Sequence, residues 1–256
     1  MHDMAFHRPA SLAAAAAAFA AAGEAAYIAG GHTLVPAMKS RLRAPDALID
    51  LAGIPDLAGV TRDGDRLWVG AMTRHADVAI AATAIPGLAA LAGQIGDAQV
   101  RNRGTLGGVI ANNDPAADYP AAVLALDAIV ETDRGQHAAD DYFQGMFATA
   151  LAEGEIITRV GFKLPVRSAY AKFRHPASRY AIVGVFVADF GGSYLVAVTG
   201  AGPGVFRWDA AESALAAGQK APPLAADDLN TDIHASADYR AHLAGVMLGR
   251  AVAALA

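Results

Sequence analysis

The longest uninterrupted apolar run in the chain, Leu12–Ala22, is eleven residues. A membrane-spanning helix needs about 20, so the apolar side chains must be buried by a fold of short elements. Ser11 is a good N-cap for this run, alanine is the best helix former, and Gly23 stands where a left-handed residue would end the helix. An early apolar run can also mimic a leader peptide. Asp3 precedes this one, however, no basic cluster does, and Pro9 and Ser11 lie at its border. A structural helix in a cytoplasmic protein is the expectation.

Composition narrows the function classes. Charged residues make up only 18% of the 256, alanine taking up the difference, and the net charge of −5 supplies no field for nucleic acid or anionic lipid. A surface so poor in charge hints that partners cover part of it. The chain has no cysteine, which excludes disulfides, thiolate zinc sites, cysteine-held iron–sulfur clusters and thiol nucleophiles. The eight histidines show no HExxH or similar spacing, so no metal site is expected.

Short elements can be read along the whole chain. A strand over Ala26–Ala29 leads through Gly30-Gly31 to a helix opened by Thr33, with Pro36 in its first turn. "DALIDLAGI" is a further strand and its exit. Asp63-Gly64 between two apolar runs predicts a hairpin. Helices follow, one capped by Thr73 and one opened near Pro86. Asp114 is expected to cap a helix begun by Pro115, and Tyr119–Leu126 reads as helical. Strands cover Ala128–Thr132 and "EIITRVGFKLP". The last part predicts a two-strand meander joined at Gly191-Gly192, a helix ended by Gly218, and a final amphipathic helix. The fold class is α+β in three parts, residues 1–54, 55–166 and 167–256.

Two glycine pairs stand out, Gly30-Gly31 and Gly107-Gly108, each read as a turn beside a threonine, Thr33 or Thr105. Without Cβ atoms, consecutive backbone N–H groups can close on an anion. Two such loops could grip the two phosphates of a pyrophosphate, although turn chemistry alone also accounts for either pair. No GxGxxG opens a βαβ unit and no GxxxxGK[ST] is present, so any nucleotide site is neither Rossmann nor P-loop. The second pair continues as "VIANNDPAAD", which puts amides and carboxylates where sugar hydroxyls could be held.

The segments "AGGHTLVPAMKSRLRAPDALIDL" and "IGDAQVRNRGTLGGVIANNDPAADYPAAVLALDA", in that order, resemble the FAD-binding medium subunits of molybdenum hydroxylases, a group that includes aerobic carbon monoxide dehydrogenase and xanthine dehydrogenase. The resemblance extends through "KFRHPASRYAIVGV" to "DIHASADYRAHLAGVM". It implies a two-part FAD-binding domain of the vanillyl-alcohol-oxidase (PCMH) type and a small α+β C-terminal domain. It assigns Ala29, Gly30, Gly31, His32, Thr33 and Leu34 as one pyrophosphate contact, and Thr105, Leu106, Gly107 and Gly108 as the other. Asn112 and Asp118 fall toward the ribityl and adenosine side, Ile157 at a backbone contact to the flavin or adenine, Tyr180 beside the isoalloxazine, and Lys172 in a segment near it. Val109 departs from the serine or asparagine usual in the family, which removes a side-chain hydrogen bond.

The resemblance also implies partners. A small subunit would carry [2Fe-2S] clusters and a large one the molybdenum cofactor, assembled as a dimer of heterotrimers. Substrate and final electron acceptor are not legible. "GGHT" is also similar to the stretch by which some stand-alone oxidases bond FAD covalently, here through His32. A flavin-free assembly module is the remaining alternative.

Overall fold

The computed structural model describes residues 3–255. Its first part is a three-stranded parallel sheet in the order β1-β3-β2, formed by β1 (Ala5–His7), β2 (Ala25–Ile28) and β3 (Ala47–Asp50). Between the strands run α1 (Leu12–Ala21) and α2 (Leu34–Lys39). Ser11 caps α1 as expected, its Oγ accepting from the Ala14 N–H at 3.2 Å. Gly23 is not the left-handed terminator: the chain leaves α1 through Ala22 in an extended conformation, its N–H bonded to the Phe19 carbonyl. Ala15 packs with Ile49, Leu51, Ile54 and Leu57, so the helix is an integral layer of the fold.

The second part is a five-stranded antiparallel sheet, order β4-β5-β10-β6-β7. It comprises β4 (Val60–Asp63), β5 (Arg66–Gly70), β6 (Ile129–Thr132), β7 (Gln136–Ala138) and, after the small hairpin β8 (Phe143–Gly145) and β9 (Ala148–Thr149), β10 (Ile157–Lys163). The Asp63-Gly64 turn is present, with Asp63 paired to Arg66 and Gly64 at φ +58°. Six helices belong to this part: α3 (His75–Ala81), α4 (Pro86–Gly93), α5 (Ala98–Arg101), α6 (Leu106–Asn112), α7 (Tyr119–Ala125) and α8 (Ala139–Tyr142).

Three expectations fail here for identifiable reasons. Thr73 does not cap α3; its hydroxyl pairs with both the N–H and the carbonyl of Gly59, and Arg74 holds the cap position. Asp114 opens no helix, because its carboxylate accepts from the Ala116 N–H at 2.9 Å in a turn. Gly107-Gly108 is not a turn but the first turn of α6, capped by the Thr105 hydroxyl.

The third part is a four-stranded antiparallel sheet in chain order: β11 (Arg167–Arg174), β12 (Ala181–Asp189), β13 (Tyr194–Thr199) and β14 (Phe206–Arg207). The expected meander is therefore flanked by two strands the sequence reading did not separate. All nine residues of β12 are buried. Phe186 and Ala188 join the core beneath α4 and α7. Val183, Val185 and Val187 alternate onto the opposite face, against Leu243, Met247 and Leu248 of the last helix. Helices α9 (Asp209–Ala216) and α10 (Ala237–Ala253) end the chain, α10 capped by Ser236. Among the described residues no helix is long and apolar enough to cross a membrane.

Candidate functional site

A cavity of about 680 Å³ is walled by all three parts. This is within the ~300–1,000 Å³ usual for cofactor sites. Its first wall is the segment Ala29–Thr33, which leaves the carboxyl end of a parallel strand, β2, the usual place for ligands in such sheets. Gly31 is left-handed there (φ +73°). Among the described residues, nothing accepts a hydrogen bond from the N–H groups of Gly30, Gly31, His32 or Thr33. Four consecutive unpaired donors, three of them on residues with no side chain or a short one, form an anion-binding concavity. His32 lines the cavity too, with its Nδ1 3.2 Å from the Gly30 carbonyl.

The second glycine segment works differently. The Leu106 N–H donates to the Thr73 carbonyl, Gly107 to Ala71, Gly108 to the Thr105 hydroxyl, and Val109 to the Thr105 carbonyl. These amides are committed to the protein, so the segment does not repeat the open concavity of the first. It offers the cavity the Cα surfaces of Gly107 and Gly108 and the Thr105 hydroxyl, whose proton is still free to donate. The glycines are required by protein packing. A Cβ on Gly107 would lie 2.6 Å from that of Ala71, and one on Gly30 would run into the Arg103 carbonyl oxygen.

Of the remaining residues assigned by resemblance, Leu34, Asn112, Asp118, Ile157 and Tyr180 also line the cavity, whereas Leu106 and Lys172 do not. Leu106 is wholly buried in the main core. Lys172 reaches Asp118 instead: its side chain is 1% exposed and its Nζ donates to Asp118 Oδ2 and to the Arg179 carbonyl, each at 3.0 Å. Asp118 Oδ1 accepts from the Tyr170 hydroxyl at 2.5 Å. Burial pushes the Asp118 carboxyl above its ordinary value, against the opposing pull of Lys172 and the two hydrogen bonds. With both oxygens already engaged, Asp118 ties β11 to the start of α7 as well as facing the cavity.

Sequence reading missed His75, Arg43, Glu155 and Arg179 in the cavity wall. His75 is 2% exposed, its ring 5.4 Å from that of Tyr119, and among the described residues neither its Nδ1 nor the Tyr119 hydroxyl has a partner. Burial, with smaller contributions from His32 and Arg101, pushes the imidazole down to about 4. An unfolded chain protonates its histidines near pH 6.5. Between those values the unfolded state binds a proton that the folded state refuses, so stability drops as pH falls from about 6.5 to about 4. The loss from His75 totals about 3 kcal/mol. Urea unfolding at pH 7 and pH 4.5 should show it, and His75→Gln should shrink the difference between the two pH values; an undiminished difference would contradict this.

Residues 2–165 match the family model described as the FAD binding domain in molybdopterin dehydrogenase. The chain belongs to that family. It is 34% identical to the carbon monoxide dehydrogenase medium chain of Hydrogenophaga pseudoflava, over 96% of this chain and 95% of that one. It is 36% identical to the nicotine 6-hydroxylase medium subunit of Paenarthrobacter nicotinovorans, over 88% and 87%. Among solved structures, carbon monoxide dehydrogenase from H. pseudoflava superposes with a TM-score of 0.86 at 32% identity, covering 99% of this chain and 97% of that one. Quinoline 2-oxidoreductase from Pseudomonas putida 86 gives 0.89 at 27% identity, with 98% and 96% covered. For a member of this FAD-binding family, the donor-rich concavity is chemically suited to a pyrophosphate, while Asn112, Asp114 and Asp118 supply polar groups suited to sugar hydroxyls.

Proposed function

We propose that this chain is the FAD-carrying subunit of a multi-subunit molybdenum hydroxylase. It would accept electrons from iron–sulfur clusters of a small partner and deliver them to an external acceptor, with a large partner carrying the molybdenum cofactor. The observation that carries the reading is the run of unpaired N–H groups from Gly30 to Thr33 in a cofactor-sized cavity. Bound flavin supplies exchange between one-electron and two-electron carriers. The protein's share would be to hold the pyrophosphate at Gly30–Thr33 and Thr105 and the sugar hydroxyls near Asn112 and Asp118, with Tyr180 beside the isoalloxazine and Ile157 at the flavin or adenine. Without cysteine the chain has no thiolates for an iron–sulfur cluster, so those centres belong on another subunit.

The three-part division, 1–54, 55–166 and 167–256, belongs to this reading and is supported by one principal sheet in each span. A dimer of heterotrimers and a cytoplasmic setting belong to it as well. For the latter, the support is that Leu12–Ala21 is packed into the fold through Ala15. Purification from the native host under mild conditions tests the assembly. Two further chains should accompany this one, with iron and molybdenum in the complex. A solitary flavoprotein whose FAD is reduced directly by an organic substrate would overturn the proposal.

A further inference from the structure

The turn from His175 to Tyr180 joins β11 to β12 and brings Ser178, Arg179 and Tyr180 to the cavity wall. Its sequence, "HPASRY", contains no glycine, yet Arg179 is left-handed at φ +63°. That conformation is disfavoured for a residue with a Cβ and persists only where its surroundings enforce it.

One ring takes part in that enforcement. His175 Nδ1 accepts from two backbone donors at once, the N–H of Ala177 at 3.2 Å and of Ser178 at 3.1 Å. Pro176 has no N–H, so the ring takes the first two backbone donors that follow His175. With Nδ1 accepting, the ring's own proton is on Nε2. The backbone then closes around the ring: His175 N–H donates to the Tyr180 carbonyl at 2.8 Å, and Arg179 N–H to the His175 carbonyl at 2.9 Å. Lys172 Nζ holds the Arg179 carbonyl from below. The outer side of the ring meets His234 edge-on, centroids 4.5 Å apart.

We propose that His175 is a positioning residue for the flavin site: its Nδ1 builds the turn that sets the Tyr180 ring against the cofactor. The proposal rests on the reading of Tyr180 as the aromatic neighbour of the isoalloxazine. His175 itself is outside the cavity lining and acts through the backbone of residues 177–180. An acceptor atom at the δ position is what the turn requires. A ring without one, or the contact with His234, does not suffice.

The FAD-loaded full chain supplies the test, read by flavin fluorescence, which a stacked tyrosine quenches, and by FAD dissociation. His175→Phe keeps a ring and loses the acceptor. It should raise the flavin fluorescence and weaken FAD retention about tenfold, the equivalent of one or two lost hydrogen bonds. His175→Asn keeps an acceptor near the position of Nδ1 and should remain close to the parent, which also covers the case in which His175→Phe fails to fold. His234→Ala should leave both readouts unchanged. In a Tyr180→Leu background, His175→Phe should add nothing further, because both act through one ring. A silent His175→Phe, a His175→Asn as impaired as His175→Phe, or full additivity with Tyr180→Leu would overturn the proposal. A Tyr180→Leu that leaves the fluorescence unchanged would overturn the reading beneath it, and this proposal with it.

Discussion

Replacing Asp118 with alanine should destabilise the FAD-free protein by about 3–5 kcal/mol, the loss typical of removing one partner from a buried ion pair. Lys172 would be left with its ammonium sealed in the protein, bonded to the Arg179 carbonyl alone. Tyr170, also buried, would lose the acceptor of its hydroxyl. Asp118→Asn retains the shape and one acceptor, so its loss should be smaller, with the Lys172 charge still unopposed. Chemical denaturation of the apoprotein reads these differences directly. If Asp118 serves only sugar hydroxyls, the apoprotein stability will stay within about 0.5 kcal/mol of the parent, as for an ordinary surface change. FAD affinity should fall in either variant, since the same carboxylate faces the cavity and ties the turn carrying Tyr180 to α7.

That dual role shows where sequence reading stops. Asp118 was legible as a carboxylate near a helix start. Its partners are not, because Tyr170 and Lys172 are 52 and 54 residues away in the chain. The hairpin at Asp63-Gly64 and the Ser11 cap were legible because each is decided within four residues. Gly107-Gly108 misled for a physical reason. Glycine is about 1 kcal/mol worse than alanine in a helix, so a pair of them reads as a turn. Here the Thr105 cap and the approach of Ala71 impose a helix that needs a bare Cα. His75 gave no signal at all, since nothing local marks a histidine that will be 2% exposed behind a cofactor cavity. Likewise β11 was not separated as a strand, since its buried residues Ser168, Ala169 and Tyr170 are consecutive and show no period-two alternation.

The second large effect is expected at Gly30. An added Cβ would collide with the Arg103 carbonyl oxygen and sit 2.8 Å from the Gly104 Cα. Both are backbone atoms, so no side-chain rotation relieves the clash, and the two glycine segments must separate. Overpacking of this kind destabilises by about 1–3 kcal/mol. The larger consequence falls on binding, because the Gly30–Thr33 donors would no longer face Thr105 across the cavity. An FAD dissociation constant raised at least about 100-fold corresponds to some 3 kcal/mol of lost binding. Gly108→Ala is the informative comparison. Its Cβ would be 2.9 Å from the Thr105 hydroxyl oxygen and 3.7 Å from the Ala29 Cβ, so it presses on the cap while leaving the Gly30–Arg103 contact alone. It should bind FAD more tightly than Gly30→Ala. Equal affinity for Gly30→Ala and the parent would remove the first glycine segment from the site.

The most direct measurement is a titration of the flavin-free chain with FAD, followed by acid precipitation of the saturated protein. One FAD per chain should bind, with all of it recovered in the supernatant. The absence of saturable binding would contradict the assignment of the cavity, and flavin retained in the pellet but lost in His32→Ala would replace it with a covalent flavin site.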